Sequence, residues 1–358
     1  MMHRFFVSVL RPFLIAVATF FLAAGCVSRR TYLGTGNAGL NPVLHTGFVD
    51  DAPPYLSSHA STVVDTRDGV MSAWFGGAYE KHPDVCIWTS RFDGKVWSRP
   101  EKVADGVQPD NLTRYPCWNP VLFQPRRGPL LLFYKVGPSP SEWWGMLIVS
   151  HDHGHTWSSP RRLPAGQLGP VRNKPVQLAD GSLLCPSSSE EDGWRVHLER
   201  TADFGLTWES TEALNAKEEF GAIQPTILRW KNGRTQILNR SRQKVVTECW
   251  MEGSDWRKWS PMVKTQLPNP NSGIDGLVLQ DGRGLLVFNN SDHARTPMCV
   301  GLSKDGRDWR VALTLESSSD GELSYPAVVQ SGDGLVHITF TWKRQKIRHI
   351  VIDPLRLR

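Results

Sequence analysis

A unit of about 50 to 60 residues recurs along this chain, and that repeat constrains the fold more than any other feature. Each unit holds an apolar strand, a turn containing glycine, a second apolar strand, and a third strand leading to a turn that ends in tryptophan. The turn glycines are Gly69, Gly128, Gly181, Gly233, Gly282 and Gly334, and the terminal tryptophans are Trp97, Trp157, Trp208, Trp259 and Trp309. Six glycines and five tryptophans give six units, the last closed differently. Apolar runs pair across each glycine, as in residues 61–64 with 70–75 and 327–329 with 336–341, and nowhere is a helical period sustained. The pattern predicts an all-β fold, a six-bladed β-propeller with four-stranded antiparallel blades. The sixth unit ends in residues 347–352, so a strand near residues 46–50 is expected to complete its sheet and close the ring, removing free edges.

Composition agrees. The 31 Gly and 25 Pro are spread along the chain, which suits many short strands and turns, and Trp (15) outnumbers Tyr (6). The formal charge of +6 is modest and fits an anionic substrate, with no basic block that would bind nucleic acid.

The N-terminus is a separate matter. Arg4 and Arg11 precede or flank an apolar run over residues 13–24, too short for a comfortable membrane span and ending in small residues. Leu22-Ala23-Ala24-Gly25-Cys26 resembles a bacterial lipobox. Residues 1–26 are therefore expected to be a lipoprotein-type signal peptide with Cys26 lipidated, residues 27–45 a tether, and residues 46–358 the propeller. The expected location is exported and anchored to a bacterial membrane through the lipid alone, in the periplasm or at the cell surface. A plain secretory signal with Cys26 incidental is the alternative. Cys86, Cys117, Cys185, Cys249 and Cys299 are an odd number in apolar strand context, and read as buried free thiols rather than metal ligands or nucleophiles.

The most specific motif lies in the third turn. Ser150-His151-Asp152-His153-Gly154-His155-Thr156-Trp157 matches the Asp-box pattern S-x-D-x-G-x-T-W, and residues 201–208 match it with Thr201 in place of Ser. Looser copies run from Ser303 to Trp309 and from Ser90 to Trp97. The Asp accepts turn amides, the Gly permits positive φ and the Trp packs between sheets, so these are fold markers and not catalytic groups.

Ligands sit at the mouth of such a closed scaffold, where the first strands begin. Six polar residues stand there: His59, Asn119, Lys174, Gln224, Asp275 and Tyr325. Taken with the Asp-boxes, residues 46–357 resemble the sialidase, or BNR-repeat, superfamily. That resemblance implies arginines gripping a substrate carboxylate, a Tyr nucleophile activated by a Glu, and an Asp acid/base. On the matching positions it implies Arg240 and Arg295 as carboxylate ligands and Tyr325 as nucleophile. Guanidiniums take a carboxylate through paired charge-assisted bonds, and positive charge beside a phenol favours its oxyanion. Two positions depart from the family: His59-Ala60-Ser61 stands where it has Arg-Ile-Pro, and Gln224 where it has Glu. The acid/base is sought in the loop 76–84, as Glu80 or Asp84, the latter equally suited to capping the next strand.

Three functions are open. The first is an exo-glycosidase acting on a terminal acidic sugar, sialic or uronic, with Tyr325 as nucleophile. The second is a uronate lyase in which His59 and Tyr325 move protons. The third is a glycan-binding propeller without chemistry. Lys174 and Asn119 are expected to contact substrate, and Asp275 to hydrogen-bond its hydroxyls or pair with Arg295. Trp118, Trp143 and Trp144 could stack a sugar. No cofactor or metal is expected, the partner is an acidic glycan, and the protein is expected to be a monomer.

Overall fold

A computed structural model describes residues 41–358. Six four-stranded antiparallel sheets follow one another around an axis, with strand order equal to chain order in five of them. Blade 1 is Ser57–Thr66, Gly69–Gly77, Cys86–Phe92 and Glu101–Ala104. Blade 2 is Cys117–Phe123, Leu130–Val136, Trp144–Ser150 and Arg161–Arg162. Blade 3 is Val176–Gln177, Leu183–Ser189, Arg195–Thr201 and Glu209–Ser210. Blade 4 is Ala222–Arg229, Thr235–Ser241, Val245–Trp250 and Val263–Pro268. Blade 5 is Asp275–Val278, Gly284–Asn289, Met298–Ser303 and Trp309–Glu316.

Blade 6 closes the ring. Its inner three strands are Leu323–Gln330, Val336–Trp342 and Lys346–Ile352, and its outermost strand is Val43–Phe48, from the other end of the sequence. This strand begins a few residues earlier than the periodicity suggested, and it covers the edge that the last strand would otherwise leave open.

The six turn glycines all take positive φ, from 85° to 113°, which a side chain at those turns would resist. First strands of neighbouring blades pack on one another and so line the axis. Outside them the sheets bury apolar faces between blades. Val64, Met71, Phe75 and Ile87 of blade 1 join Leu122, Leu130, Leu132 and Tyr134 of blade 2 in one such layer. Each fully buried Leu, Ile or Val contributes roughly 1.5–3 kcal/mol. Near the axis, polar side chains fasten blade to blade: Ser188 accepts from the Gln224 amide (3.1 Å), and Thr341 from the Ala60 amide (3.1 Å).

At the opposite end, the Asp-boxes form closed turns. Asp152 accepts from the Thr156 amide and hydroxyl and from Ser150, and Asp203 repeats the pattern with Thr207 and Thr201. In blade 5 the same turn packs on blade 4. A Cβ at Gly306 (φ 82°) would meet Gln236 Oε1 at 2.5 Å and Trp230 at 2.7 Å. All five cysteines among the described residues are buried free thiols. Cys26 and the signal and tether assignments up to residue 40 lie outside the described residues.

Candidate active site

Four blades share an irregularity where the first strand begins. Pairing with the second strand slips between His59 and Thr62, Trp118 and Val121, Ile223 and Thr226, and Ser324 and Ala327. Within each slip one residue takes positive φ: Ala60 (55°), Asn119 (38°), Gln224 (55°) and Tyr325 (52°). A bulge frees its extra residue from the ladder and re-aims the side chain. In three blades the next residue is Pro120, Pro225 or Pro326, which has no amide to lose. Blade 1 therefore differs from the sequence alignment: Ala60 is the counterpart of Tyr325, and His59 lies one residue ahead of it.

The same end of the ring carries the end of each second strand and the loop that follows. Arg240 comes from the end of Thr235–Ser241, Arg295 from the loop before Met298–Ser303, and Arg344 from the turn after Val336–Trp342. Arg172 comes from the approach to Val176–Gln177. All four surround Tyr325. Its hydroxyl lies 2.7 Å from Arg240 Nη1, and the Arg172, Arg240 and Arg295 guanidinium carbons stand 5.2, 5.7 and 5.8 Å from its ring. Arg240 is held by Asn271 Oδ1 (2.7 and 3.0 Å) and by Gln224 Oε1 (3.1 Å). Arg172 is 1% exposed and donates to the Pro326 carbonyl at 2.7 Å. Glu322 joins two of the arginines, accepting from Arg295 (3.2 Å) and Arg344 (2.8 Å), and Glu80 pairs with Arg344.

His59 lies against Tyr325, ring centroids 4.2 Å apart and tilted by 53°. It is 1% exposed, and neither ring nitrogen has a hydrogen-bond partner among the described residues. Burial first, then the charges of Arg344, Arg295, Arg172 and Arg240, push its pKa well below the ordinary imidazole value, so the ring is neutral.

The remaining sequence candidates divide. Gln224 belongs to the cluster through Arg240. Asn119 is buried at the blade 2 bulge and makes no side-chain hydrogen bond among the described residues. Lys174 and Asp275 pair with each other at 2.6 Å. Asp275 is buried and also accepts from Thr226 (3.0 Å) and the Val328 amide (2.9 Å), so it fastens blades 3 to 6 together and has no contact with Arg295. Asp84 accepts from the Ala78 amide (3.0 Å) and pairs with His82 (2.7 Å). Burial raises its pKa, but those two bonds outweigh it and the net shift is downward, which suits a loop cap. Trp118 and Trp143 are buried edge to face against each other, 6.0 Å apart, and offer no open ring to a sugar.

The comparisons can be set against this geometry. A family model described as a BNR repeat-like domain matches residues 68–338. The chain belongs to that family. Comparison with curated proteins finds no match. Among solved structures, the Hadza microbial sialidase Hz136 superposes with a TM-score of 0.74 at 15% identity, over 87% of this chain and 69% of that one. The intramolecular trans-sialidase from Ruminococcus gnavus superposes at 0.70 and 13% identity, over 89% and 99% of the two chains. An α-L-arabinanase from Penicillium chrysogenum superposes at 0.66 and 15% identity, over 89% and 100%. At such identities the likeness is one of fold: this is a sialidase-like BNR-repeat β-propeller.

Within this BNR propeller, several mouth residues escaped the sequence reading. Arg172 sits two residues ahead of Lys174-Pro175, where a polar residue before proline was already conspicuous. Arg344 stands in Lys343-Arg344-Gln345-Lys346, which reads as a solvated hairpin turn. Glu190, in the blade 3 loop, lies near Arg240 and Arg242. Burial pushes its carboxyl up, against the pull of Arg240 and Arg242. Trp194, in the same loop, has the Arg240 guanidinium carbon 5.1 Å from its ring.

Proposed function

We propose that this protein is a retaining exo-glycosidase that removes a terminal anionic sugar from a glycan, with Tyr325 as nucleophile. The observation that supports it most is the Tyr325 hydroxyl, bonded to Arg240 and faced by three further guanidiniums. Four arginines against Glu80 and Glu322 leave a surplus of positive charge, which favours a carboxylate-bearing sugar.

In this reading the Tyr325 oxygen attacks the anomeric carbon, the aglycone leaves with a proton from a carboxylic acid, and water later cleaves the tyrosyl glycoside. Gln224 cannot accept the tyrosine proton. His59 is the neutral base next to Tyr325; burial first and then the arginine charges depress its basicity, and a bound carboxylate offsets the second of these. No hydrogen bond joins the two residues in the ligand-free arrangement, so transfer requires a small ring rotation or a bridging water. For the acid, Glu190 has the raised carboxyl that donation needs, while Glu80 is engaged by Arg344. The leader and Cys26 would carry the enzyme through a bacterial membrane and hold it there by the residues between Cys26 and the closing strand Val43–Phe48.

A second reading has its own support. Neutral His59, neutral Gln224 and Tyr325 beside arginines also fit abstraction of a proton next to a uronate carboxylate, followed by elimination. Purified residues 27–358 should be incubated with sialosides and uronate-capped glycans while reducing ends and ultraviolet absorbance are followed together. Free sugar without new absorbance supports hydrolysis. The absorbance of an unsaturated uronate would replace it with elimination.

A further inference from the structure

Beside the mouth, between the outer parts of blades 2 and 3, lies a second cleft of about 640 Å³. Its volume falls in the range of sites for small ligands. One wall is Trp144, whose ring has the Arg162 guanidinium 4.4 Å above it. The facing wall is Arg195 and His197, on consecutive outward positions of Arg195–Thr201. Among the described residues Arg195 Nε is buried without a partner, and its one ion pair is with Asp192, 3.7 Å from Nη1. His197 Nε2 lies 3.0 Å from Glu199, a fully buried carboxylate that also accepts from Ser187 (2.9 Å) and from the Leu168 (3.0 Å) and Gly169 (2.6 Å) amides. With its proton on Nε2 and donated to Glu199, His197 keeps Nδ1 as an acceptor.

The charges differ from those of the mouth. Arg162 and Arg195 meet Glu191, Asp192 and Glu212, a mixed set with no preference for an anion. The Arg162 guanidinium stacked on Trp144, facing Arg195 and His197, lines the cleft with planar donors and acceptors that suit the hydroxyls of a pyranose or furanose. The lip Ser189–Asp192 includes Glu190 and runs on to Trp194, both of which stand beside Arg240.

We infer that this cleft binds neutral sugar units of the same glycan whose acidic end enters the arginine-lined mouth. The inference rests on the glycosidase reading for the identity of the glycan, but not for the existence of the cleft site. It makes the protein a reader of chain composition as well as of the terminal charge.

The test is a titration of the protein with neutral di- and trisaccharides (lactose, arabinobiose and xylotriose), followed by calorimetry and tryptophan fluorescence. Two cleft variants are used: Trp144→Ala, which removes the wall that Arg162 stacks on, and Ser141→Trp, which fills the exposed rim without deleting a contact. Arg240→Ala serves as the mouth variant. The expected result is saturable binding of at least one saccharide, weakened about tenfold or more in both cleft variants and retained in Arg240→Ala. For turnover, the kcat/KM ratio of an acid-tipped trisaccharide to an acid-tipped aryl glycoside should fall about tenfold in the cleft variants. Absence of binding by any saccharide, or binding lost only in Arg240→Ala, would overturn the inference. Failure of all acidic glycans to turn over would defeat the glycosidase reading while leaving the binding result intact.

Discussion

The two ends of this ring solve opposite problems with the same strands. At the base, the blade 3 Asp-box turn consumes its polar groups: Asp203 accepts from Thr201, Leu206 and Thr207, and Trp208 donates to the Gly205 carbonyl. At the mouth, four bulges interrupt the strands, Tyr325 is held at positive φ, and His59 and the Arg172 Nε are buried with hydrogen bonds unmade. Positive φ in a non-glycine residue costs on the order of 1–3 kcal/mol, and an unsatisfied buried polar group about as much. The base turns also hold non-glycine residues, His153 and Phe204, at positive φ, so what sets the mouth apart is the cluster of buried polar groups around Tyr325 that a ligand can satisfy.

The difference can be broken most sharply by mutation at the mouth. Tyr325→Phe should lower kcat roughly a thousandfold or more, with the melting temperature within a few degrees of wild type. Equal loss of stability would mean that Tyr325 supports the fold. Arg240→Ala should come next, losing roughly a hundredfold in kcat/KM, since it holds both Tyr325 and the expected carboxylate. Among the acids, Glu190→Gln should cost roughly ten- to a hundredfold in kcat, more than Glu80→Gln. The reverse order would move the acid to the blade 1 loop.

The base should respond in stability alone. Gly306→Ala introduces a Cβ against Gln236 and Trp230 at a positive φ, and should cost about 2–3 kcal/mol in denaturant unfolding while kcat stays unchanged. A further, pH-dependent loss should come from the closing blade. There His337 Nδ1 lies 3.1 Å from His349 Nε2, and Trp97 donates to His349 Nδ1. Burial pushes His337 down to about 4, helped by His45 and opposed by Asp333; burial also lowers His349, with His337 and His45 adding to it. Folded pKa values below the unfolded one mean that the unfolded chain binds more protons. Stability is thus complete above pH ~6.5 and falls as the pH drops towards about 4, by on the order of 3 kcal/mol for His337. A flat unfolding free energy across that window would contradict the arrangement.

Much of this was legible in the sequence, and the reasons are physical. Repeated turn glycines and Asp-boxes are local solutions to turn geometry, so they recur as motifs and reveal the six blades. Tyr325, Arg240 and Arg295 followed from the resemblance those markers carry, and the structure brings the three side chains together. Arg172 and Arg344 were not, because a lone arginine in a loop carries no sign of what the ring brings opposite to it. Asp275 was read as a ligand group because a buried staple between blades and a site carboxylate look alike until the partners Lys174, Thr226 and Val328 are placed. The tryptophans at 118 and 143 failed for a similar reason, since packing and stacking call for the same side chain. The blade 1 bulge was misaligned by one residue, because Ala60-Ser61 lacks the proline that marks the others.

The central claim is that Tyr325 is the nucleophile of a retaining glycosidase, and a trapping experiment tests it directly. The protein is treated with an activated fluorosugar bearing a carboxylate, which slows breakdown of a glycosyl-enzyme, and the intact mass and its peptides are measured. A mass increase of one sugar, located on Tyr325 and absent from Tyr325→Phe, is the expected result. Turnover of acidic glycans with no adduct, or an adduct on another residue, would contradict it.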